Sequence, residues 1–279
     1  MAFDFQKECP GYFKRTREEI VGSFYGQTDE DSRLDRTRHG QLEYRTTMSY
    51  IHRFAGKGSR VLEVGAGTGR YSIALAKEGM DVTAVELVES NLAVLREKGR
   101  GLENLRALQG DAADLSQLAD DSFDVTLVLG PMYHLYGKGG VDRAIDEAIR
   151  VTRPAGILMF AFLSVHAILY DNYLQPEPHT FKAGWEENFD KDMRVRHFPE
   201  QVFTGYDVAE FEALFENKPV AHLRTVATDG ILELAEGRSD FSMTDEDFRL
   251  FSAYHLLHCE KRELLGSSAH LLYICRKRN

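Results

Sequence analysis

The residues of this chain best suited to binding a ligand lie between positions 61 and 70. Glu63 lies in an apolar run, 61–64, that is followed by three glycines at alternate positions, Gly65, Gly67 and Gly69. A helical pattern begins immediately afterwards, so we predict that a buried strand ends in a glycine turn that opens a helix. Such a turn lets the backbone approach a ligand closely and directs helix N–H groups towards an anion.

The spacing of the glycines distinguishes between nucleotide-binding motifs. A dinucleotide fingerprint is G-x-G-x-x-G, and Arg70 occupies the position of its third glycine. The phosphate-binding loop G-x-x-x-x-G-K-[ST] does not occur in the sequence. The pattern therefore disfavours a nicotinamide cofactor and a P-loop.

Further candidate binding residues follow the next three predicted strands. Glu86 ends the second strand about 20 residues after the turn, where an acid that binds ribose hydroxyls is expected. The third strand, 105–109, leads into Gly110-Asp111-Ala112, and the fourth ends at Gly130. The glycine turn, Glu86, the Gly-Asp-Ala segment and Gly130 thus follow four successive predicted strands in order, which chance would not be expected to produce.

The pattern E-x-G-x-G-x-G at 63–69 resembles the first motif of class I S-adenosylmethionine (SAM) methyltransferases, and the ordered motifs extend the resemblance over roughly residues 46–163. The resemblance implies that SAM is the cofactor and S-adenosylhomocysteine the product. It implies that the glycine turn contacts the methionine moiety and that the Asp of the third motif reaches the adenine amino group. The implied cofactor-binding residues are Glu63, Gly65, Ala66, Gly67, Gly69, Glu86, Leu87, Asp111, Ala112 and Gly130.

Two residues after the fourth strand are candidates for catalysis, His134 and Tyr133. Methyl transfer from a sulfonium needs mainly alignment, and a general base only if the acceptor arrives protonated. His134 is the best-placed base, since an ordinary histidine titrates near neutral pH. The alternative, slightly favoured, is that His134 binds backbone or contacts the cofactor. Tyr133 orients the nucleophile or, more simply, lines the pocket.

Composition narrows the classes of partner. The chain has 279 residues and a net charge of −10, with a short basic run only at 276–278, which disfavours nucleic acid. Residues 130–133 also lack the [Asp/Asn]-Pro-Pro-[Tyr/Phe] tetrad of amino-methylating DNA enzymes. No run approaches the ~20 apolar residues of a membrane span, and the N-terminus is unlike a secretion signal. Cys9, Cys259 and Cys275 are scattered and show no metal-ligand or disulfide pattern. We therefore expect a cytoplasmic protein without metal, and the oligomeric state stays open.

Alternation of strands and helices predicts a Rossmann-like α/β fold, with helices on both faces of a mostly parallel seven-stranded sheet whose last strand is antiparallel. An aromatic-rich segment, 164–204, follows the fifth strand and leaves the sheet on its ligand side. Together with a leader at 12–40, this segment is expected to close over the cofactor and to leave an apolar pocket beside it. The expected organisation is leader 1–45, SAM-binding core 46–163, cap 164–204, core 205–231, helical insertion 232–268 and last strand 269–279.

These observations predict a SAM-dependent methyltransferase that acts on a small molecule. The same core serves methyltransferases that act on RNA or protein, and it also serves SAM-binding proteins without turnover. Both alternatives stay open. A nicotinamide-dependent oxidoreductase is the least favoured, because the third glycine is displaced.

Overall fold

The structure, a computed structural model, describes residues 16–26, 30–135, 137–174, 190–192 and 202–279. A single twisted sheet dominates these residues, with the strand order β3-β2-β1-β4-β5-β8-β7 and the short β6 paired to β5. The strands are β1 (Arg60–Val64), β2 (Asp81–Glu86), β3 (Leu105–Gln109), β4 (Phe123–Val128), β5 (Thr152–Ser164), β6 (Gly205–Tyr206), β7 (Val220–Ala227) and β8 (His270–Lys277).

Strands β1 to β6 pair in parallel, and β8 runs antiparallel to both β5 and β7. The predicted mostly parallel sheet with an antiparallel last strand is confirmed, with the two-residue β6 added to the seven expected strands. The strand order reverses between β1 and β4, and such a reversal opens a crevice at the carboxyl ends of the strands. The glycine turn after β1 and Gly130 after β4 both lie at that crevice.

Eleven helices are described around the sheet, together with a 3₁₀ turn at Pro131–Tyr133. They are α1 (Arg17–Tyr25), α2 (Arg33–Arg36), α3 (Arg38–Ile51), α4 (Arg70–Lys77), α5 (Glu89–Lys98), α6 (Gly137–Val151), α7 (Val165–Leu174), α8 (Val208–Ala213), α9 (Leu232–Glu236), α10 (Asp245–His258) and α11 (Arg262–Leu265).

The sequence pattern also predicts a helix at roughly 41–55 and a sixth strand at 220–231, and both boundaries differ in the structure for local reasons. The helix expected at 41–55 begins earlier, because the Thr37 hydroxyl caps it by accepting from the Gly40 N–H at 3.1 Å. The sixth expected strand ends at Ala227 rather than 231, since Gly230 adopts a positive φ of 60° that turns the chain into α9.

The leader and the second helical insertion pack against each other. Leu42 of α3, Leu232 of α9 and Phe248 of α10 form a buried apolar cluster. The Glu236 carboxylate accepts from the backbone N–H groups of Arg38 and His39 at 2.7 and 2.9 Å, at the first turn of α3. These contacts hold α3 against the second helical insertion.

Of the expected cap, 164–204, the structure describes α7, residues 190–192 and residues 202–204, whereas 175–189 and 193–201 lie outside the described residues. Its closure over the site therefore stays a prediction, as do the domain boundaries. In the part of the chain that is described, every helix is too short or too polar to cross a bilayer.

Candidate active site

The glycine turn after β1 has the backbone geometry that only glycine adopts freely. Gly65 and Gly67 have φ of +77° and +55°. A Cβ on Gly65 would lie 2.5 Å from Cδ of Pro131, so the turn also packs directly on the chain that follows β4. A side chain at this position would push apart the two loops that form the crevice.

Glu86 ties the end of β2 to this turn. Its carboxylate accepts from the Gly67 N–H at 2.7 Å and from the Val88 N–H at 2.8 Å, and it is buried. Burial raises the pKa of Glu86, although both backbone donors act in the opposite direction. Each carboxylate oxygen can accept a further hydrogen bond, so the group fits a pair of ribose hydroxyls.

Glu63 lies under the turn and is 1% exposed. The Ser72 hydroxyl donates to its carboxyl oxygen. Burial raises the pKa of Glu63 to about 8 in spite of this hydrogen bond. The group is therefore mostly protonated at neutral pH, which is a perturbation typical of functional sites.

A small cleft of about 40 Å³ lies over the turn between β1, β4 and the leader. Glu30 and Arg33 lie on its outer wall and are paired through Arg33 Nε at 3.0 Å. The lining residues are Glu30, Asp31, Arg33, Leu34, Glu63, Gly65, Ala66, Gly67, Thr68, Arg70, Tyr71 and Leu129.

At the other end of the crevice, Asp111 accepts from the Ala113 N–H at 2.9 Å through one oxygen and pairs with Arg17 of α1 through the other. Ala112 beside it is buried, and the Leu87 carbonyl accepts from the Gln109 side chain at 3.4 Å. Helix α1 therefore lies across the position expected for adenine.

His134 is buried, and both of its ring nitrogens have partners. Nδ1 donates to the Val202 carbonyl at 2.7 Å, so Nε2 accepts from the Tyr25 hydroxyl at 2.9 Å. Burial lowers the pKa of His134 to about 4, and the ring is neutral at physiological pH. The residue joins α1, the turn after β4 and the end of the expected cap.

Tyr133 is 7% exposed, and its hydroxyl has no hydrogen-bond partner among the described residues. That oxygen lies 3.7 Å from where a Cβ would stand on Gly130, at the mouth of the crevice. Burial raises the pKa of Tyr133, so the hydroxyl keeps its proton.

The sequence did not predict a buried ionic network that lies next to this site. Arg33 binds Glu43 with both terminal nitrogens, at 2.8 and 3.2 Å. His270 Nδ1 donates to Asp229 at 2.8 Å and lies 3.6 and 3.9 Å from oxygens of Glu233 and Glu43. The members come from three distant parts of the chain, 33–43, 229–233 and 270, and no spacing rule joins these parts. The oxygens and nitrogen of Asp229, Glu233 and His270 lie within 4.8 Å of one another, a grouping that the sequence did not suggest.

Charge on the network follows from these contacts. Burial alone would lower the pKa of His270, but Glu43, Asp229 and Glu233 raise it to about 10. Burial would likewise raise the pKa of Glu43, yet Arg33 and His270 lower it to about 2. His270 and Glu43 are therefore both charged at neutral pH.

The structure thus gathers the sequence-predicted residues at the carboxyl ends of β1 to β4. The leader contains three basic residues whose partners the sequence does not indicate, Arg33, Arg38 and His39. Arg33 lines the cleft, whereas Arg38 pairs with Asp245 and His39 with Glu236, both on the second insertion.

Comparison with known proteins agrees with this geometry. The family model described as a methyltransferase domain matches residues 62–160. A demethylmenaquinone methyltransferase of Clavibacter sepedonicus is 34% identical over 124 residues, covering 42% of this chain and 49% of the relative. The enzyme of the same name from Beutenbergia cavernae is 36% identical over 158 residues, covering 53% of this chain and 62% of the relative. The chain thus spans about half the length of these relatives.

Solved structures share the fold at low sequence identity. A putative methyltransferase in complex with the Haloferax volcanii Trm112 methyltransferase activator has a TM-score of 0.59 at 16% identity, covering 93% of this chain and 98% of that one. Phosphoethanolamine N-methyltransferase 1 of Haemonchus contortus, solved with phosphoethanolamine and S-adenosylhomocysteine, has a TM-score of 0.57 at 16% identity and covers 94% of this chain and 49% of that one. The resemblance read from the motifs is confirmed: residues 62–160 match a methyltransferase domain, and the chain has the Rossmann-like fold of these structures.

Proposed function

We propose that this protein is a SAM-dependent methyltransferase that methylates a small molecule by in-line displacement. The observation that carries the proposal is the placement of the glycine turn, Glu86 and Asp111 along one crevice, in the order expected for the three parts of the cofactor. The family match over 62–160 supports the same conclusion.

Each part of the crevice fits one part of the cofactor. Glu86, fixed by two backbone donors, would accept from the ribose hydroxyls. Asp111 would accept from the adenine amino group once Arg17 has moved from it. The cleft at Glu63 and the glycine turn would hold the methionine end.

When bound, the cofactor supplies an activated methyl group on a positively charged sulfur. The new bond forms between the methyl carbon and the acceptor atom, and the carbon–sulfur bond breaks with its electron pair left on sulfur. The chain's main contribution is therefore to align the acceptor and to exclude water, since proximity and orientation are worth about 7–11 kcal/mol at best. Tyr133, beside Gly130, lies where the acceptor would enter.

Any acceptor that arrives protonated must lose that proton, and His134 is our candidate to receive it. Its Nε2 is the acceptor nitrogen and is bound by the Tyr25 hydroxyl. A proton from the acceptor would reach Nε2 directly if Tyr25 moves aside, or through the Tyr25 hydroxyl if it stays. The slightly favoured alternative remains a His134 that holds α1 and Val202 in place without proton transfer.

The acceptor is proposed to be a small molecule. The relatives named demethylmenaquinone methyltransferases support this, as do the net charge of −10 and the lack of a sequence signature for nucleic acid. Methylation of RNA or protein, and SAM binding without turnover, are the alternatives that the experiments below separate.

Calorimetry with SAM and with NAD tests the cofactor. We expect SAM to bind wild type and NAD not to bind, and we expect Glu86→Ala to weaken SAM binding by about 1.5–3 kcal/mol for each lost charge-assisted hydrogen bond. The exposed Glu103→Ala is the matched control. Tight NAD binding without SAM binding would overturn the proposal.

A metabolite extract incubated with labelled SAM and read by mass spectrometry tests the acceptor. His134→Ala is expected to lower kcat about 10²–10⁴-fold with unchanged SAM affinity if His134 is a base. An unchanged kcat with weakened SAM binding would place His134 in the cofactor shell. Label transferred only to RNA or protein would favour the macromolecular alternative.

A further inference from the structure

His270 lies on the ligand side of the sheet. It is the first residue of β8, and because β8 is antiparallel to β5 it pairs there with Leu163, near the carboxyl end of β5. The ring of Tyr133, which follows β4, meets the imidazole edge to face with centroids 6.5 Å apart. The residue is therefore next to the crevice, although nothing in the motifs pointed to it.

The orientation of the imidazole is fixed from one side. Asp229 is fully buried and accepts from His270 Nδ1 at 2.8 Å, and its own oxygen is held by the Ser268 hydroxyl at 2.5 Å. Nε2 is therefore on the opposite side of the ring. No described residue forms a hydrogen bond with Nε2, and the side chain is 16% exposed.

The surrounding charges make this nitrogen a donor. Carboxylates of Asp229, Glu233 and Glu43 face Nδ1, and Arg33 neutralises Glu43. These contacts keep the imidazole protonated at neutral pH. The five groups together carry one net negative charge, so an anionic ligand would be repelled whereas an uncharged hydrogen-bond acceptor would not.

A second donor is available at the same edge. The Tyr133 hydroxyl belongs to a buried residue and has no hydrogen-bond partner among the described residues. Neither the Tyr133 hydroxyl nor His270 Nε2 belongs to the fully buried unpaired atoms of the described residues, so a ligand that enters the crevice can reach both donors. An oxygen atom has two lone pairs and can accept from both groups at once.

We propose that His270 Nε2 and the Tyr133 hydroxyl bind an oxygen atom of the methyl acceptor, and that this acceptor is an uncharged hydroxyl or carbonyl compound such as a phenol. The inference rests on the proposed methyltransferase function. Asp229 is a positioning residue, since it acts by fixing the imidazole. Arg33 and Glu43 connect this oxygen site to the wall of the cofactor cleft.

Two substitutions at one position separate a ligand role from a structural one. In His270→Asn the amide nitrogen takes the place of Nδ1, so the bond to Asp229 is kept and the donor at Nε2 is lost. In His270→Gln the amide nitrogen takes the place of Nε2, so the donor towards the ligand is kept. The probes are phenol, benzoate and benzylamine, titrated into the full chain saturated with S-adenosylhomocysteine and followed by ¹⁵N-histidine NMR.

We expect phenol, but not benzoate or benzylamine, to shift the His270 Nε2 resonance. His270→Asn should weaken phenol binding about 10- to 100-fold, the effect of one charge-assisted hydrogen bond, while His270→Gln stays within about fivefold of wild type. Tyr133→Phe should weaken phenol binding in the same direction. Asp229→Asn should lower the pKa of His270 in the NMR titration. Phenol binding should then weaken as the imidazole loses its proton, which a purely structural role would not require.

Several results would overturn the inference. These are no response of His270 to phenol, a stronger response to benzoate or benzylamine, or equal losses in His270→Asn and His270→Gln. A response to Zn²⁺ through Nδ1 in place of phenol would make Asp229, Glu233 and His270 a metal site instead. Binding of S-adenosylhomocysteine is measured on the same samples, so its failure would identify an error in the proposed function and not in this inference.

Discussion

Glu63 is expected to make the stability of this protein fall as pH rises, and Glu63→Gln should remove that dependence. An unfolded glutamate ionises near its model value of 4.5, whereas burial holds the pKa of folded Glu63 at about 8. Between these values the folded state binds one more proton than the unfolded state. Stability is therefore complete below pH 4.5 and decreases as pH rises towards 8.

The magnitude follows from the two pKa values. At 1.36 kcal/mol per pKa unit, Glu63→Gln should be more stable than wild type by about 1 kcal/mol at pH 5, about 3 at pH 7 and about 4 at pH 8. Glutamine keeps the oxygen that accepts from the Ser72 hydroxyl, so the substitution removes the charge without removing that contact.

Urea unfolding at these pH values measures the difference, and Glu103→Gln, at an exposed position, is the control that should show none. A gain in stability that does not change with pH would refute the reasoning, because it would have to come from packing. We also expect Glu63→Gln to bind SAM more weakly. The buried carboxyl of Glu63 destabilises the fold at neutral pH, and it lies where the resemblance places the methionine moiety, so we expect it to serve binding.

Three further substitutions test the leader and the buried ionic network. Arg17→Met should raise SAM affinity about two- to fivefold in calorimetry, because the ion pair with Asp111 no longer competes; weaker binding would instead show that Arg17 contacts the cofactor. Tyr25→Phe should speed hydrogen exchange over α1 about five- to tenfold, since the hydrogen bond to His134 is lost, and unchanged exchange would contradict this. Glu43→Gln should lower the free energy of unfolding by about 3 kcal/mol at pH 7, because the pKa of Glu43 is lowered from 4.5 to about 2. The loss should shrink as pH falls from 4.5 towards 2, to about 1.4 kcal/mol at pH 3, and an undiminished loss at pH 3 would be inconsistent with this reasoning.

The sequence by itself determined the parts of the fold and site that depend on local spacing. A buried strand followed by alternate glycines predicts a turn that opens a helix at the ligand side of the sheet. The ends of the next parallel strands then place Glu86, Asp111 and Gly130 along the same crevice. The positive φ angles of Gly65 and Gly67 and the two backbone donors to Glu86 agree with that prediction. Such features are local because each depends on a few consecutive residues and on the direction of a parallel strand.

Only the tertiary structure decided which distant side chains meet. Nothing in the spacing of Arg33, Glu43, Asp229 and His270 shows that they form one buried network. The protonation of His270 depends on carboxylates far away in the chain, and the neutrality of His134 depends on its burial by α1 and residues 202–204. Electrostatic environment is set by burial and by neighbours in space, and a single sequence specifies these only through the completed fold.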